Sequence, residues 1–217
     1  MTRGVWWVGL AAAGALLAGC GSPANTDPAP TPTASAAAGP AAGTTGTAGS
    51  ATGAPGQFVV VPPSGHVSGV YPPRCHSADG RHPDPACTPG AVQSNITQAS
   101  IATTICRRGW TATVRAPEAE TGKVKKAAML AYGDPASASS TTELDHFIPL
   151  ELGGANDVRN LWPEPSDEPG HGVQNTKDKV ETDLNTAVCH GRVPLTAAQQ
   201  AIATDWTTAE RRLGLAR

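Results

Sequence analysis

The sequence predicts an α+β domain preceded by a disordered N-terminal tether. Two short apolar stretches, 144–148 and 159–162, flank a glycine-rich turn and are typical of strands. A third segment, 175–188, places apolar residues on one side at four-residue spacing, the pattern of an amphipathic helix. The order strand, loop, strand, helix forms the predicted centre, and further helices are expected to pack around it.

Length and charge limit the alternatives. The chain has 217 residues, enough for one medium-sized domain or two small ones. Its formal net charge of −2 excludes a uniformly cationic coat for nucleic acid. Any surface that binds phosphate groups must therefore be a local patch.

The first 19 residues have the features of an export signal. Arg3 precedes an apolar run, 5–17, that is too short to span a membrane as a mature helix. The run leads into Leu-Ala-Gly-Cys ending at Cys20, which resembles the lipobox of bacterial lipoproteins; the alternative is an ordinary signal peptide. The resemblance implies lipidation of Cys20 and anchoring at the outer face of the bacterial cytoplasmic membrane, outside the cell.

The next 63 positions, 20–82, are predicted as linker, and 83–217 as the folded domain. From Gly21 to about Gly56 the chain consists almost entirely of Ala, Gly, Pro, Thr and Ser. Such a composition buries too little apolar surface to offset chain entropy. A brief run, 58–61, is compatible with an edge strand, but we assign it to the linker.

Four cysteines remain once Cys20 is set aside. An even number in an exported chain indicates two disulfides, for which three pairings exist. The predicted pairs are Cys75–Cys87 and Cys106–Cys189. The alternative for the first pair is a metal site that also uses His76 and His82, with irregular ligand spacing.

Two helices and a strand are predicted before the centre. Thr97 can cap a short helix that Gly109 ends. Alternation over 110–115 predicts a strand, and an apolar stripe over 121–133 predicts a helix that ends at Gly133.

One helix is predicted after the centre. Thr196 and Gln199 have the spacing of a capping box at its start. Ala198, Ile202 and Trp206 then recur every four residues, so we expect them to face the core.

The predicted centre combines the residue types that hydrolyse phosphodiesters. Hydrolysis needs a base to deprotonate water and a cation to neutralise the phosphate. His146 is the candidate base, and oxygen ligands from Asp145 and Asn175 suit a hard divalent cation. Adjacent strand residues point to opposite sides, so Asp145 and His146 can share a site only where the strand ends. The proline and glycines that follow favour such an end.

These motifs resemble the HNH nucleases of the ββα-metal class. The matching residues are Asp145-His146 with the following Phe-Ile-Pro-Leu, Gly153-Gly154, Asn160-Leu161 and Asn175-Thr176-Lys177. The similarity is closest to small secreted or lipoprotein variants and is strongest over 144–181. It implies a ββα-metal core and an endonuclease that cuts DNA with little sequence specificity. Whether RNA is also a substrate stays open. Mg²⁺ or Mn²⁺ is the implied metal, because the third motif position holds asparagine instead of histidine.

The resemblance implies a role for each matched residue. His146 is the general base, and Asp145 is a metal ligand. Asn160 fixes the loop and orients the histidine. Asn175 is the second metal ligand, with Glu181 as its substitute.

Positive side chains near the centre are the predicted contacts to phosphate. The resemblance implies that Lys177 is a catalytic lysine facing phosphate. Arg107, Arg108 and Arg115 lie close together in sequence and could follow a nucleic-acid backbone; the alternative is an ordinary solvated face.

A second class of function stays open at this point. The intact Asp145-His146 pair and Asn160 favour a hydrolase. The near-neutral charge favours a catalytically inactive HNH-fold binding module at the cell envelope. An assay of phosphodiester cleavage separates the two hypotheses.

Overall fold

The structure, a computed structural model, describes residues 56–215 except 169 and 171. The predicted export signal, the lipidation site at Cys20 and the tether up to residue 55 lie outside the described residues. The described residues form a mixed α+β arrangement with two small sheets and several helices. The predicted fold class, α+β, is confirmed at this level.

Short strands pair in two separate sheets. The strands are β1 (Val59–Val61), β2 (Ala91–Gln93), β3 (Thr142–His146) and β4 (Leu161–Pro165). β1 and β2 run parallel, whereas β3 and β4 form an antiparallel pair. In that pair Asp145 lies opposite Trp162, and His146 lies opposite Leu161. The two central strands are therefore confirmed, each with its bounds shifted by about two residues.

Among the described residues, five helices accompany the sheets. The helices are α1 (Trp110–Val114), α2 (Glu118–Tyr132), α3 (Lys177–Cys189), α4 (Leu195–Asp205) and α5 (Ala209–Arg212). α2 packs on the β3–β4 pair, and α3, α4 and α5 pack on one another. α2 ends, as predicted, where Gly133 adopts a left-handed conformation with φ of 78°. α3 follows β4 along the chain, in the predicted order of strand, strand and helix.

Three local predictions are wrong. Residues 110–114 form α1 instead of a strand, because Trp110 and Val114, four residues apart, both pack against the core as on one face of a helix. The expected capping box of α4 is absent from the described helix: Pro194 occupies the cap position, and Gln199 is buried, donating to the Leu152 carbonyl at 2.8 Å. The helix predicted from Thr97 shrinks to a single 3-10 turn, Ile101–Thr103.

The folded part begins well before Pro83. β1 pairs with β2, and the Tyr71 hydroxyl donates to the Leu161 carbonyl at 3.0 Å. The Cys75 amide donates to the Ala131 carbonyl at 2.9 Å. The linker assignment of the last part of 20–82 therefore needs correction: residues from about 58 onward belong to the folded unit.

The core lies between α3, α4 and the segments that enter and leave the β3–β4 pair. Its largest fully buried apolar side chains include Trp162, Ile148, Leu184 and Ile202. Trp206 is 6% exposed and also belongs to this core, as predicted.

Both predicted disulfides are present. Cys75 bonds to Cys87, and Cys106 bonds to Cys189. The first bond rules out the alternative metal site, and the His82 ring contacts Asp79 and Asp205 instead. Two disulfides indicate an oxidising, extracellular environment. Among the residues described, no helix has both the length and the apolar composition needed to cross a membrane.

Candidate active site

An open, polar cleft of about 240 Å³ lies between the end of β3 and the first turns of α3. Asp145 and His146 both line it. The strand ends at His146, which lets neighbouring residues with opposite orientations reach one cavity. The remaining charged residues of the cleft are Glu143, Glu151, Asp178, Glu181 and Arg115.

Asn160 fixes the loop that follows β3. Its Oδ1 accepts hydrogen bonds from the amides of Ile148 (2.9 Å) and Ala91 (3.2 Å). Its Nδ2 donates to the carbonyls of Ile148 (2.9 Å) and Ala155 (3.1 Å). The side chain is fully buried, so these bonds satisfy its polar atoms where water cannot. Asn160 therefore locks the backbone two residues beyond His146.

The same loop requires glycine at position 154. A Cβ atom built on Gly154 would overlap the carbonyl oxygen of Ile148. The backbone thus approaches itself more closely than any side chain permits. Gly154 therefore lets the loop pack closely against Ile148 and Asn160.

His146 is buried, with 8% of its surface exposed. Its Nε2 lies 3.0 Å from Oδ1 of Asn156. Desolvation by burial lowers the pKa of His146 to about 4, and the hydrogen bond with Asn156 and the charge of Asp145 only partly oppose this shift. At neutral pH the imidazole is uncharged and retains a lone pair, as a general base requires.

Asp145 forms one side of a buried ion cluster. Lys177 Nζ donates to Asp145 Oδ2 at 2.7 Å, to the His146 carbonyl at 3.1 Å and to Glu181 Oε1. The Lys177 side chain is 1% exposed. Its ammonium therefore faces the protein interior, and the predicted contact from Lys177 to a phosphate does not occur in this arrangement.

Asn175 lies behind the cleft instead of lining it. Its Nδ2 donates to Glu164 Oε2 at 3.1 Å, and its Oδ1 accepts from the Lys177 amide at 3.1 Å. Burial, followed by the charge of Asp145, raises the pKa of Glu164 to about 10, so this carboxyl is protonated at neutral pH. Asn175 thus anchors the start of α3 to β4, and the structure does not bring it together with Asp145 around the cleft.

Clustered carboxylates give the cleft a negative electrostatic potential. Desolvation, followed by repulsion from Asp145 and Asp178, raises the pKa of Glu143 to about 7. Burial and neighbouring carboxylates also raise the pKa values of Glu151 and Asp178. Asp178, in the first turn of α3, also lines the cleft. A bound cation would relieve this repulsion.

The donor chemistry of the cleft suits a hard divalent cation. Carboxylate oxygens are the ligands that Mg²⁺ and Mn²⁺ prefer, and Mg²⁺ is commonly bound by one or two carboxylates together with water and phosphate. Within the described ranges no three His, Cys, Asp or Glu side chains converge into a ready metal site. Asp145 and the carboxylates beside it are the residues that would hold such an ion.

The three predicted arginines lie at or beside the cleft. Arg115 lines the cleft itself. Arg107 and Arg108 line an adjoining groove, which shares Thr111 and Glu151 with the cleft. All three residues are exposed. Positive charge therefore borders the electronegative centre.

Sequence reasoning missed the buried partners of the predicted residues. Asn156 contacts His146, and Glu164 contacts Asn175. The only signal for Asn156 was its position four residues before Asn160, in the same loop. Glu164 gave no signal, because an acid beside prolines is typical of an exposed loop.

Comparisons with known proteins found no protein similar to this chain. The chain gave no significant match to protein-family models, to curated proteins or to solved structures. Its class is therefore argued from its own residues and their geometry.

Proposed function

We propose that this protein is an HNH-type, metal-dependent endonuclease that hydrolyses phosphodiester bonds of DNA with little sequence specificity; RNA is the alternative polymer. One observation carries the proposal: Asp145 and His146 reach the same polar cleft at the end of β3. The loop behind them is locked by Asn160. The order β3, loop, β4, α3 supports the proposal of a ββα-metal core.

The proposed chemistry divides between a base and a cation site. His146, neutral at physiological pH, takes a proton from the water that attacks phosphorus. Asp145 and the carboxylates of the cleft would hold Mg²⁺ or Mn²⁺. When bound, this ion neutralises charge on the phosphate and stabilises the leaving oxygen.

The charge of the cleft supports dependence on a cation. Five carboxylates line it and Arg115 is its one permanently cationic residue, so a phosphate entering alone would be repelled. A divalent ion offsets part of this negative charge and provides a positive centre for the phosphate. Arg107 and Arg108 would then contact the backbone on one side of the cleaved bond, without reading base sequence.

The proposed location is the outer face of the bacterial cytoplasmic membrane. The lipobox-like sequence ending at Cys20 supports a lipid anchor as the membrane contact. Two disulfides agree with a position outside the cytoplasm.

A specific observation favours the second candidate, a catalytically inactive binding module of the same fold. Lys177 already neutralises Asp145, the carboxylate proposed to hold the metal. If this ion pair persists in the presence of metal and substrate, the cleft lacks its cation and cannot hydrolyse the bond.

Cleavage of supercoiled plasmid by the full chain tests the proposal. We expect nicking with Mg²⁺ or Mn²⁺ that a chelator abolishes, and a loss of at least about 100-fold in the rate for His146→Ala. His76→Ala is the matched control, because His76 is exposed and outside the cleft. Absence of cleavage with any divalent metal, while DNA is still bound, would establish the binding module instead. Equal rates for His146→Ala and the wild type would remove His146 as the base.

A further inference from the structure

The orientation of the Asn156 side chain is fixed by two backbone carbonyls. Its Nδ2 lies 2.9 Å from the Ser64 carbonyl oxygen and 2.7 Å from the Val114 carbonyl oxygen. A carbonyl oxygen only accepts hydrogen bonds, so the amide NH₂ group must face both of them. Asn156 is 3% exposed, so these contacts are largely shielded from solvent. The amide oxygen is therefore the atom that points at His146.

This orientation determines which nitrogen of His146 carries hydrogen. Oδ1 of Asn156, an acceptor, lies 3.0 Å from Nε2, so Nε2 must be the donor. A neutral imidazole, the form that a general base requires, has one ring hydrogen only. The lone pair of the ring accordingly lies on Nδ1.

His146 borders two cavities, the cleft and a neighbouring one that Asn156 also lines. Across the described part of the chain, His146 has no other side-chain hydrogen bond than the one to Asn156. Trp162 Nε1 is the only side-chain nitrogen or oxygen among the described residues that is buried without a partner, so Nδ1 of His146 is not sealed off. The residue lines the cleft beside Asp145.

We propose that Asn156 is a positioning residue that holds His146 in the Nε2–H tautomer, so that Nδ1 is the atom that accepts the proton from water. This inference rests on the proposed nuclease function for its catalytic meaning, although the tautomer itself is a property of the folded protein. Asn156 acts through His146 and does not line the cleft.

The support of Asn156 extends to the N-terminal segment of the fold. Ser64 supplies one of the two carbonyls, and the Ser68 amide donates to the Asn156 carbonyl at 3.0 Å. The other carbonyl comes from Val114, the last residue of α1. Two segments that are distant in sequence thus hold one side chain that touches the base.

Nitrogen NMR tests the tautomer directly. The full chain, labelled with ¹⁵N-histidine, gives long-range ¹H–¹⁵N correlations that distinguish the protonated from the unprotonated ring nitrogen. The chain has six histidines, so the spectrum of His146→Ala identifies the signal. We expect a neutral ring at neutral pH with hydrogen on Nε2. Hydrogen on Nδ1 in the wild type would overturn the proposal, and this measurement requires neither activity nor a variant of Asn156.

Two substitutions then test the role of Asn156. Asn156→Leu removes the acceptor, and we expect mixed or altered His146 correlations with a fall of about 10- to 100-fold in kcat and little change in KM. Asn156→Asp keeps an oxygen for Nε2 and should retain the Nε2–H signal with a smaller loss. Asn95→Leu, at an exposed asparagine, is the control.

The outcomes separate this inference from the proposed function. Unchanged His146 correlations in Asn156→Leu would overturn the positioning role. The expected correlations in a protein without nuclease activity would support the tautomer assignment and overturn the proposed function alone.

Discussion

A single buried ammonium group holds the inner wall of the cleft together. Lys177 joins Asp145 on β3 to Glu181 on the same helix and to the backbone of His146. A charge that is 1% exposed persists only because its partners offset the loss of hydration. Lys177 therefore supports the position of the acid and the base, in place of the direct contact with phosphate that the motif suggested.

We predict that Lys177→Met destabilises the protein by about 3–5 kcal/mol, since it leaves Asp145 and Glu181 buried without their cation. Urea unfolding at pH 7 measures the change. Lys179→Met is the matched control: Lys179 lies on the same helix and pairs with Asp183 at the same four-residue spacing, but its side chain is 76% exposed. Loss of this exposed ion pair should change the free energy of unfolding only slightly. Equal effects of the two substitutions would contradict the structural role of Lys177.

At the scale of residues, the sequence predicted the residues that line the cleft better than the buried residues that hold them in place. Asp145 and His146 lie together because a strand end is encoded locally, by the proline and glycines that follow. Asn160 lies where the motif suggested, under the loop. Asn175 and Lys177 could not be placed, because their partners, Glu164 and Asp145, are distant in sequence and the burial of an ion cluster has no local signature.

At the scale of elements, the loop between β3 and β4 depends on a carboxylate cap. Asp157 accepts hydrogen bonds from the amide of Arg159 (2.9 Å) and from its guanidinium (2.8 Å). The Ser68 hydroxyl donates to the same carboxylate at 2.9 Å. Burial alone would raise the pKa of Asp157, but the hydrogen bonds from Arg159 and Ser68 outweigh burial and lower the pKa.

The lowered pKa predicts a specific dependence of stability on pH. In the unfolded chain this carboxyl titrates near pH 3.9, and in the folded protein it titrates below that value. Its contribution is thus complete above about pH 5 and is lost as the pH falls through the folded pKa. Asp157→Asn should cost about 2 kcal/mol at pH 7 and clearly less at pH 3, as measured by urea unfolding. A cost that is the same at both pH values would show that the charge of Asp157 is not involved.

Elements with a strong local pattern were predicted, and those that depend on distant partners were not. α2 and α3 have apolar stripes with clear ends, and both formed near their expected bounds. α1 was predicted as a strand because its five residues alternate between apolar and polar side chains. A segment this short, with Trp110 as its one buried residue, fits a strand or a helix equally well. β1 has three residues and pairs with a strand about 30 positions later, so its composition alone could not establish it.

At the scale of the whole molecule, the segment 58–82 decides where the folded unit begins. Its proline and glycine content resembles the preceding tether, and for that reason the sequence placed the boundary at Pro83. The contacts that order the segment are made with distant residues: β1 with β2, Tyr71 with Leu161, and Cys75 with Cys87. Such contacts add order without leaving a periodic pattern in the segment itself.

Two truncations test this boundary. A chain that starts at Gly56 keeps all of these contacts and should unfold at the same temperature as the chain that starts at Cys20. A chain that starts at Pro83 loses β1, the Tyr71 hydrogen bond and the Cys75–Cys87 disulfide. The disulfide alone, which closes a loop of 12 residues, contributes about 3 kcal/mol. We therefore expect the melting temperature to fall by at least about 6 °C.

A third protein separates the disulfide from the rest of the segment. Cys75→Ser with Cys87→Ser, made in the chain that starts at Gly56, removes the bond and leaves β1 and Tyr71 in place. If the segment is part of the fold, the chain starting at Pro83 must melt below this double variant, because it also exposes β2 and the Leu161 carbonyl and removes the Ser64 carbonyl that orients Asn156. Equal melting temperatures for the chains starting at Gly56 and Pro83 would instead show that residues 56–82 belong to the tether and not to the folded unit.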